Sequence, residues 1–219
     1  MEQYHDLIVD LLKAFGETFK MLGISLTCSI LFGIPLGLAL FTTSRGLFFD
    51  NRVMNLIGGF AVNIVRSVPF VILLVILLPL TQWVVGSTIG PVAASVPLSV
   101  AAIAFYARLV ESSLREIDSG VIEAAHAMGA SPIQIVRHFL IAESLPGILR
   151  GLTVTAVSLI GYSAMAGIVG GGGVGDLAIR YGYYRYQTNV MITTVVALIV
   201  FVQLVQMIGD HYAERADKS

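Results

Sequence analysis

Charge is what this sequence has least of. Only 12% of its 219 residues are Asp, Glu, Lys or Arg, against about 25% in ordinary soluble domains. Hydrophobic residues make up 56% and the mean hydropathy is +0.85. A soluble fold of this size needs more polar surface, so the chain reads as one whose outer face meets hydrocarbon. The net charge is −1, which leaves no basic field for nucleic acid. Cysteine occurs once, as Cys28 in an apolar run. That excludes an intrachain disulfide scaffold and reads as a small buried hydrophobe. A basic n-region is also missing, since Met1 to Asp10 is mixed and acidic. Insertion is therefore expected to rely on the first membrane span rather than a cleavable signal.

Catalytic constellations are equally scarce. No GxxxxGK[ST] is present to cradle nucleotide phosphates. Gly170 to Gly175 formally satisfies GxGxxG, but it follows an apolar span rather than a strand, so it reads as a flexible, tightly packed turn at the outer face. The four histidines have no metal-ligand spacing, and no serine–histidine–acid set is visible. No carboxylate pair falls within a span; Glu17 and Asp176 are the nearest acids. A membrane enzyme or protease lacks its machinery here. A proton-coupled carrier lacks an intramembrane acid and shows no inverted repeat.

What is abundant is apolar sequence in span-length runs. A helical span needs about 20 such residues. The charge-free run between Lys20 and Arg45 predicts span one at about 21–41. The run from Arg66 to Arg108 is too long for one span. Gly86, Ser87, Thr88, Gly90 and Pro91 mark a turn inside it, which predicts span two over 61–80 and span three over 92–109. Span four is expected over 151–175 with a glycine-rich end, and span five over 188–209. Tyr181, Tyr183, Tyr184 and Tyr186 suit an interfacial aromatic belt.

Five spans put the termini on opposite sides. Arg45, Arg52, Arg108, Arg115, Arg137, Arg150, Arg215 and Lys218 fall on one side, and Lys13, Lys20, Arg180 and Arg185 on the other. The excess of positive charge predicts an outside N-terminus and a cytoplasmic C-terminus. The polar stretch from Arg108 to Arg150 is then cytoplasmic. Within it, Asp118 or Ser119 can cap a short helix, Val121, Ile122, Ala125 and Met128 recur at helical spacing, and Gly129 suits a C′ position. Ser131, Pro132 and Gln134 then form a capping box that starts a second helix at once. A helix, an elbow and another helix fit either a docking device or an amphipathic segment lying on headgroups.

The residues of this elbow carry a resemblance. Glu123-Ala124-Ala125, three residues, then Gly129 resemble the EAA loop of bacterial ABC-importer permeases. Where that family continues Ile-x-Leu-Pro, this chain has Phe139-Leu140-Ile141-Ala142, with a proline only at Pro146. Arg66-Ser67-Val68-Pro69-Phe70 resembles the Arg-x-x-Pro signature of amino-acid permeases of this class. Gly161-Tyr162-Ser163-Ala164-Met165, Gly173-Val174-Gly175 and Tyr181-Gly182-Tyr183 are similar to the permeases of methionine importers.

The resemblance implies an all-α polytopic membrane protein of the type I ABC importer fold: a single transmembrane domain over 1–219, with a cytoplasmic coupling loop at 118–146. It implies a bacterial inner-membrane location and a homodimer. It further implies two cytoplasmic ATPase subunits that bind ATP and Mg²⁺, no cofactor or metal in this chain, and an external methionine-binding protein, periplasmic or lipid-anchored, with the outer glycine-rich turn as a candidate contact. Methionine, in D and L forms, is the implied cargo, with another amino acid as the alternative. Glu123, Ala124, Ala125, Met128 and Gly129 would couple to the ATPase, the small residues allowing close approach and Glu123 pairing with a basic group near its helix start. Tyr162, Ser163 and Met165 are candidates to line the substrate path, against ordinary helix packing. Arg66 and Pro69 form a candidate gate, against an arginine that snorkels from a span end.

Overall fold

The structure, a computed structural model, describes residues 2–217, with the side chains of residues 2–6 outside that description. Every regular element among the described residues is helical. Four helices are long and apolar enough to cross a membrane, or five if one bent pair counts as a span.

The first span is longer than its charge-free run. Helix α1 (Glu2–Cys28) passes through a π-helical turn, Ser29–Gly33, into α2 (Ile34–Thr42), so the apolar rod covers Leu7–Thr42. Lys13 and Lys20 sit on it with exposed side chains. Charge marks where lipid ends, and the backbone ladder simply continues past it.

The second span is not the straight helix expected over 61–80. The Asn51 side chain accepts from the Met54 N–H at 3.1 Å and starts α3 (Arg52–Ser67) well before that window. Pro69 has φ −54° and holds Val68 extended at φ −85°, ψ 127°, because the proline ring crowds the residue before it. Helix α3 stops there and α4 (Phe70–Ile76) leaves at an angle of 108°. Helix α5 (Leu78–Val85) follows and closes on Gly86 in the left-handed region, inside the stretch expected to turn.

Helix α6 (Pro91–Arg115) is the centre of the domain and packs against α1, α2, α3 and the later α9. Its Leu98, Tyr106, Val110 and Leu114 are fully buried. In lipid the apolar drive between helices is weak, so close approach and dispersion carry the packing. A Cβ at Gly37 would lie 2.6 Å from the Ala107 carbonyl oxygen, which shows how tightly α2 is drawn onto α6. Tyr106 donates its hydroxyl to the Ile148 carbonyl at 3.2 Å and so satisfies a polar group that lipid would not.

Beyond α6 come the short α7 (Ser119–Ala127), a reversal, and α8 (Pro132–Gln134). A π-helical turn, Ile135–Leu140, joins α8 to α9 (Ile141–Ile168). Pro132–Ile168 is one continuous apolar rod of 37 residues. Span four therefore ends at Ile168, and the glycines follow it as a separate turn leading to α10 (Gly173–Leu177). That turn is pinned rather than flexible: the Glu17 carboxylate accepts from the Gly173 N–H at 2.8 Å and Thr18 Oγ1 from the Val174 N–H at 3.0 Å. The last span, α11 (Thr188–Asp217), lies on α9 and leaves most of its surface open.

Contacts sort the basic residues into two ends. Lys13 and Arg180 line one small pocket with Asp10, Glu17, Asp176 and Tyr181. At the opposite end Arg115 donates to Ser44 Oγ at 3.2 Å, and Arg150 pairs with Asp217 at 3.0 Å.

Candidate functional site

Helix α7 is built to end abruptly. Asp118 accepts from the Gly120 N–H at 2.6 Å and starts it. At its other end the Gly129 N–H donates to the His126 carbonyl at 2.9 Å, and the Ala130 N–H to the Ala125 carbonyl at 3.1 Å. This pair of bonds is the Schellman arrangement, and it needs the left-handed backbone that Gly129 supplies at φ +80°. Two residues later the Ser131 N–H donates to Gln134 Oε1 at 2.9 Å, so the next helix begins without a spacer.

The faces of α7 divide differently from the expected pattern. Ala125 is fully buried with Leu114, Ile135 and Leu140. In the protomer it holds α7 onto its own chain and leaves no open surface for the close approach that the resemblance implies. Its small size lets α7 sit against the π-helical turn Ile135–Leu140. Glu123, Ala124 and Met128 are exposed, Met128 by 70%, although Met128 was grouped with the inward residues by spacing. Its position at the C-cap takes it off the helical face. Glu123 has no hydrogen-bond or ion-pair partner among the described residues, so its expected local pairing is not made. It lines a groove of about 450 Å³ with Phe48, Ile122, His126 and Pro132, where His126 and Phe48 rings stand 5.3 Å apart.

A second site lies at the α3–α4 break. Arg66, Val65, Val68, Phe70, Leu73, Ala101, Phe105 and Tyr162 line a cleft of about 140 Å³. Tyr162 stacks on Phe70, with ring centroids 4.8 Å apart and planes at 13°. Arg66 is about 21 Å of helix beyond Arg52, far from the end that carries Arg45, Arg52 and Arg115. The structure thus brings Arg66 and Tyr162 together and places Pro69 at the bend beside them. Ser163 is elsewhere: buried, with its hydroxyl donating to the Ile160 carbonyl of its own helix at 2.8 Å. Met165 is exposed on the surface of α9.

Phe105 belongs to no motif, and Phe70 enters only as the end of the Arg66 to Phe70 segment, because Pro69 breaks the register that would relate it to Arg66. Glu111 also belongs to none of the motifs. It is 3% exposed and takes Arg108 at 2.6 Å and Arg115 at 2.8 Å. Its signal is legible, since the two arginines stand at i−3 and i+4 around it. Among the described residues no cluster of three or more His, Cys, Asp or Glu could hold a metal ion.

Residues 27–218 match the family described as binding-protein-dependent transport system inner membrane component. The chain belongs to this family. A probable D-methionine transport system permease of Vibrio cholerae is 50% identical over 207 residues, covering 94% of this chain and 92% of that protein. A methionine import system permease of Bacillus subtilis is 45% identical, over 82% of this chain and 81% of its own. A solved chain of a methionine ABC transporter in an inward-facing conformation is 43% identical, with a TM-score of 0.94 over 96% of this chain and 98% of the other. As a transport-system inner membrane component the chain is a multi-pass membrane protein.

Proposed function

We propose that this chain is the permease subunit of an ATP-driven importer of methionine, working as a pair of identical copies. The observation that carries the reading is α7: a capped helix that ends in a rigid elbow and presents an unpartnered Glu123 with exposed Ala124 and Met128. An exposed, sharply bounded helix of this kind suits a groove on a separate ATPase, which binds ATP and Mg²⁺ in this scheme. Two such ATPases would sit in the cytoplasm, and a methionine-binding protein would deliver cargo outside. The names of the relatives from Vibrio cholerae and Bacillus subtilis support methionine as the cargo. The grouping of basic residues supports an outside N-terminus and a cytoplasmic C-terminus.

Cargo would pass between the two copies along α9, with Tyr162 and Met165 facing the route and Ser163 serving the helix that carries them. Arg66 and the Pro69 bend would form the gate. ATP-driven closure of the motor pair moves α7, and the continuous α9 carries that motion into the membrane. The test is reconstitution with a cognate ATPase and binding protein in proteoliposomes. ATP-dependent uptake of radiolabelled methionine supports the reading. Failure of the ATPase to co-purify with the permease would sink it. Uptake of a different amino acid in preference would keep the permease and change the cargo.

A further inference from the structure

The cleft at the α3–α4 break has a composition that its role as a gate does not require. It joins one cation to an aromatic wall. The Arg66 guanidinium is exposed in the protomer and has no hydrogen-bond or ion-pair partner among the described residues. An unpaired arginine this far along a membrane helix is costly, and none of the lining side chains is acidic. Opposite it stand Phe70, Phe105 and Tyr162, with Val65 and Leu73. The Phe70–Tyr162 stack holds two of these rings in fixed orientation. A second electrostatic element is present as well. Val65 belongs to the last turn of α3, and its i+4 neighbour is Pro69, which has no N–H to give it. The carbonyl end of the 16-residue α3 therefore carries partial negative charge beside the guanidinium.

A cation, a carbonyl-rich helix end and an aromatic wall are the complements of a carboxylate, an ammonium and an apolar side chain. We propose that this cleft is a passage site for the amino-acid substrate: Arg66 takes the α-carboxylate through its planar fork, the last turn of α3 faces the ammonium, and Phe70, Phe105 and Tyr162 receive the side chain. A flexible thioether suits such a wall, because sulfur packs well at ring edges. At about 140 Å³ the cleft is smaller than sites that enclose a ligand, about 300–1,000 Å³. It holds the substrate on one side only, as a site that must also release it should. The proposal rests on the permease reading above and deepens it.

The test uses the assembled permease–ATPase complex in detergent, with photo-methionine as the probe and mass spectrometry as the readout. Diazirine labelling is expected on Phe70, Phe105 or Tyr162. Excess methionine should suppress it, and methioninamide, which lacks the carboxylate charge, should not. Arg66→Gln should lower labelling about tenfold, the scale of one lost charge-assisted hydrogen bond. Arg66→Lys should retain part of it, because a point charge replaces a fork. Co-elution of each variant with the ATPase shows that the complex has folded. Labelling of the cleft that is unchanged in a co-eluting Arg66→Gln complex, or suppressed equally by methioninamide, overturns the proposal. So does labelling confined to other residues. If photo-leucine labels the cleft with the same Arg66 dependence while photo-methionine does not, the methionine cargo is wrong and the carboxylate site stands.

Discussion

Tyr162 lies flat against Phe70, the two rings 4.8 Å apart and 13° from parallel. The contact fastens α9 to the short helix that follows the Pro69 break.

Removing that fastening should separate stability from hydroxyl chemistry. Phe70→Ala deletes a buried ring and is expected to cost about 3 kcal/mol or more, read as a lower Tm of the purified complex. Tyr162→Phe keeps the stack and should leave Tm within a degree or two of wild type. A marked Tm loss in Tyr162→Phe would mean that the hydroxyl, and not the ring, holds α9 in place.

Ser163→Ala should be nearly silent. Its hydroxyl serves only the Ile160 carbonyl one turn back, a type of bond that adds little to a helix. Uptake of radiolabelled methionine is expected to stay within about twofold of wild type. A large change in half-saturation would put Ser163 on the substrate path after all.

The elbow offers a sharper outcome. Gly129 has φ +80°, and a β-branched residue there pays about 1–3 kcal/mol of backbone strain. Gly129→Val should leave membrane insertion intact but reduce both ATPase co-purification and uptake, whereas Gly129→Asn should retain more of each, since asparagine tolerates the left-handed region. Normal assembly and transport in Gly129→Val would show that the sharp reversal is dispensable.

Glu111 supplies a test of buried electrostatics. Replacing both Arg108 and Arg115 with Gln leaves its 3%-exposed carboxylate without an ion-pair partner. Breaking a buried pair in this way costs about 3–5 kcal/mol. Either single substitution leaves one arginine in place and should cost much less. Thermal unfolding of the four proteins checks this, and additive small effects would mean that water reaches the carboxylate.

Side-specific labelling checks the orientation. A thiol introduced as Ser131→Cys in the elbow should react with an impermeant maleimide only after the cytoplasmic face is opened. Ser87→Cys, in the turn after α5, should react from outside. The reverse pattern would put α7 out of reach of any cytoplasmic motor.

Much of this fold was legible because lipid imposes simple rules. Charge-free runs located the spans, and Asp118, Gly129, Ser131 and Gln134 each predicted a helix end that the structure contains. Boundaries were less legible, since Lys13 and Lys20 are tolerated on an exposed helix face and α1 runs straight past them. The sharp bend at Pro69 was only half visible. A proline announces a disturbed ladder, but the 108° angle depends on what α4 packs against, here α6 and α9. The inward turn of Ala125 follows from its spacing with Val121 and Ile122, but on a nine-residue helix the apolar face and the small-residue face overlap in sequence, so the same residue also reads as one of close approach.

The unbroken helix from Pro132 to Ile168, 37 residues or about 55 Å long, behaves as a lever. Leu109 presses on it at Gly151, where an added Cβ would stand 3.1 Å from the leucine side chain, and such a contact can act as a fulcrum. A small sideways nudge at Ser131 then swings Tyr162 in the opposite sense, so an engine outside the membrane could open and shut the passage without ever touching what passes through it.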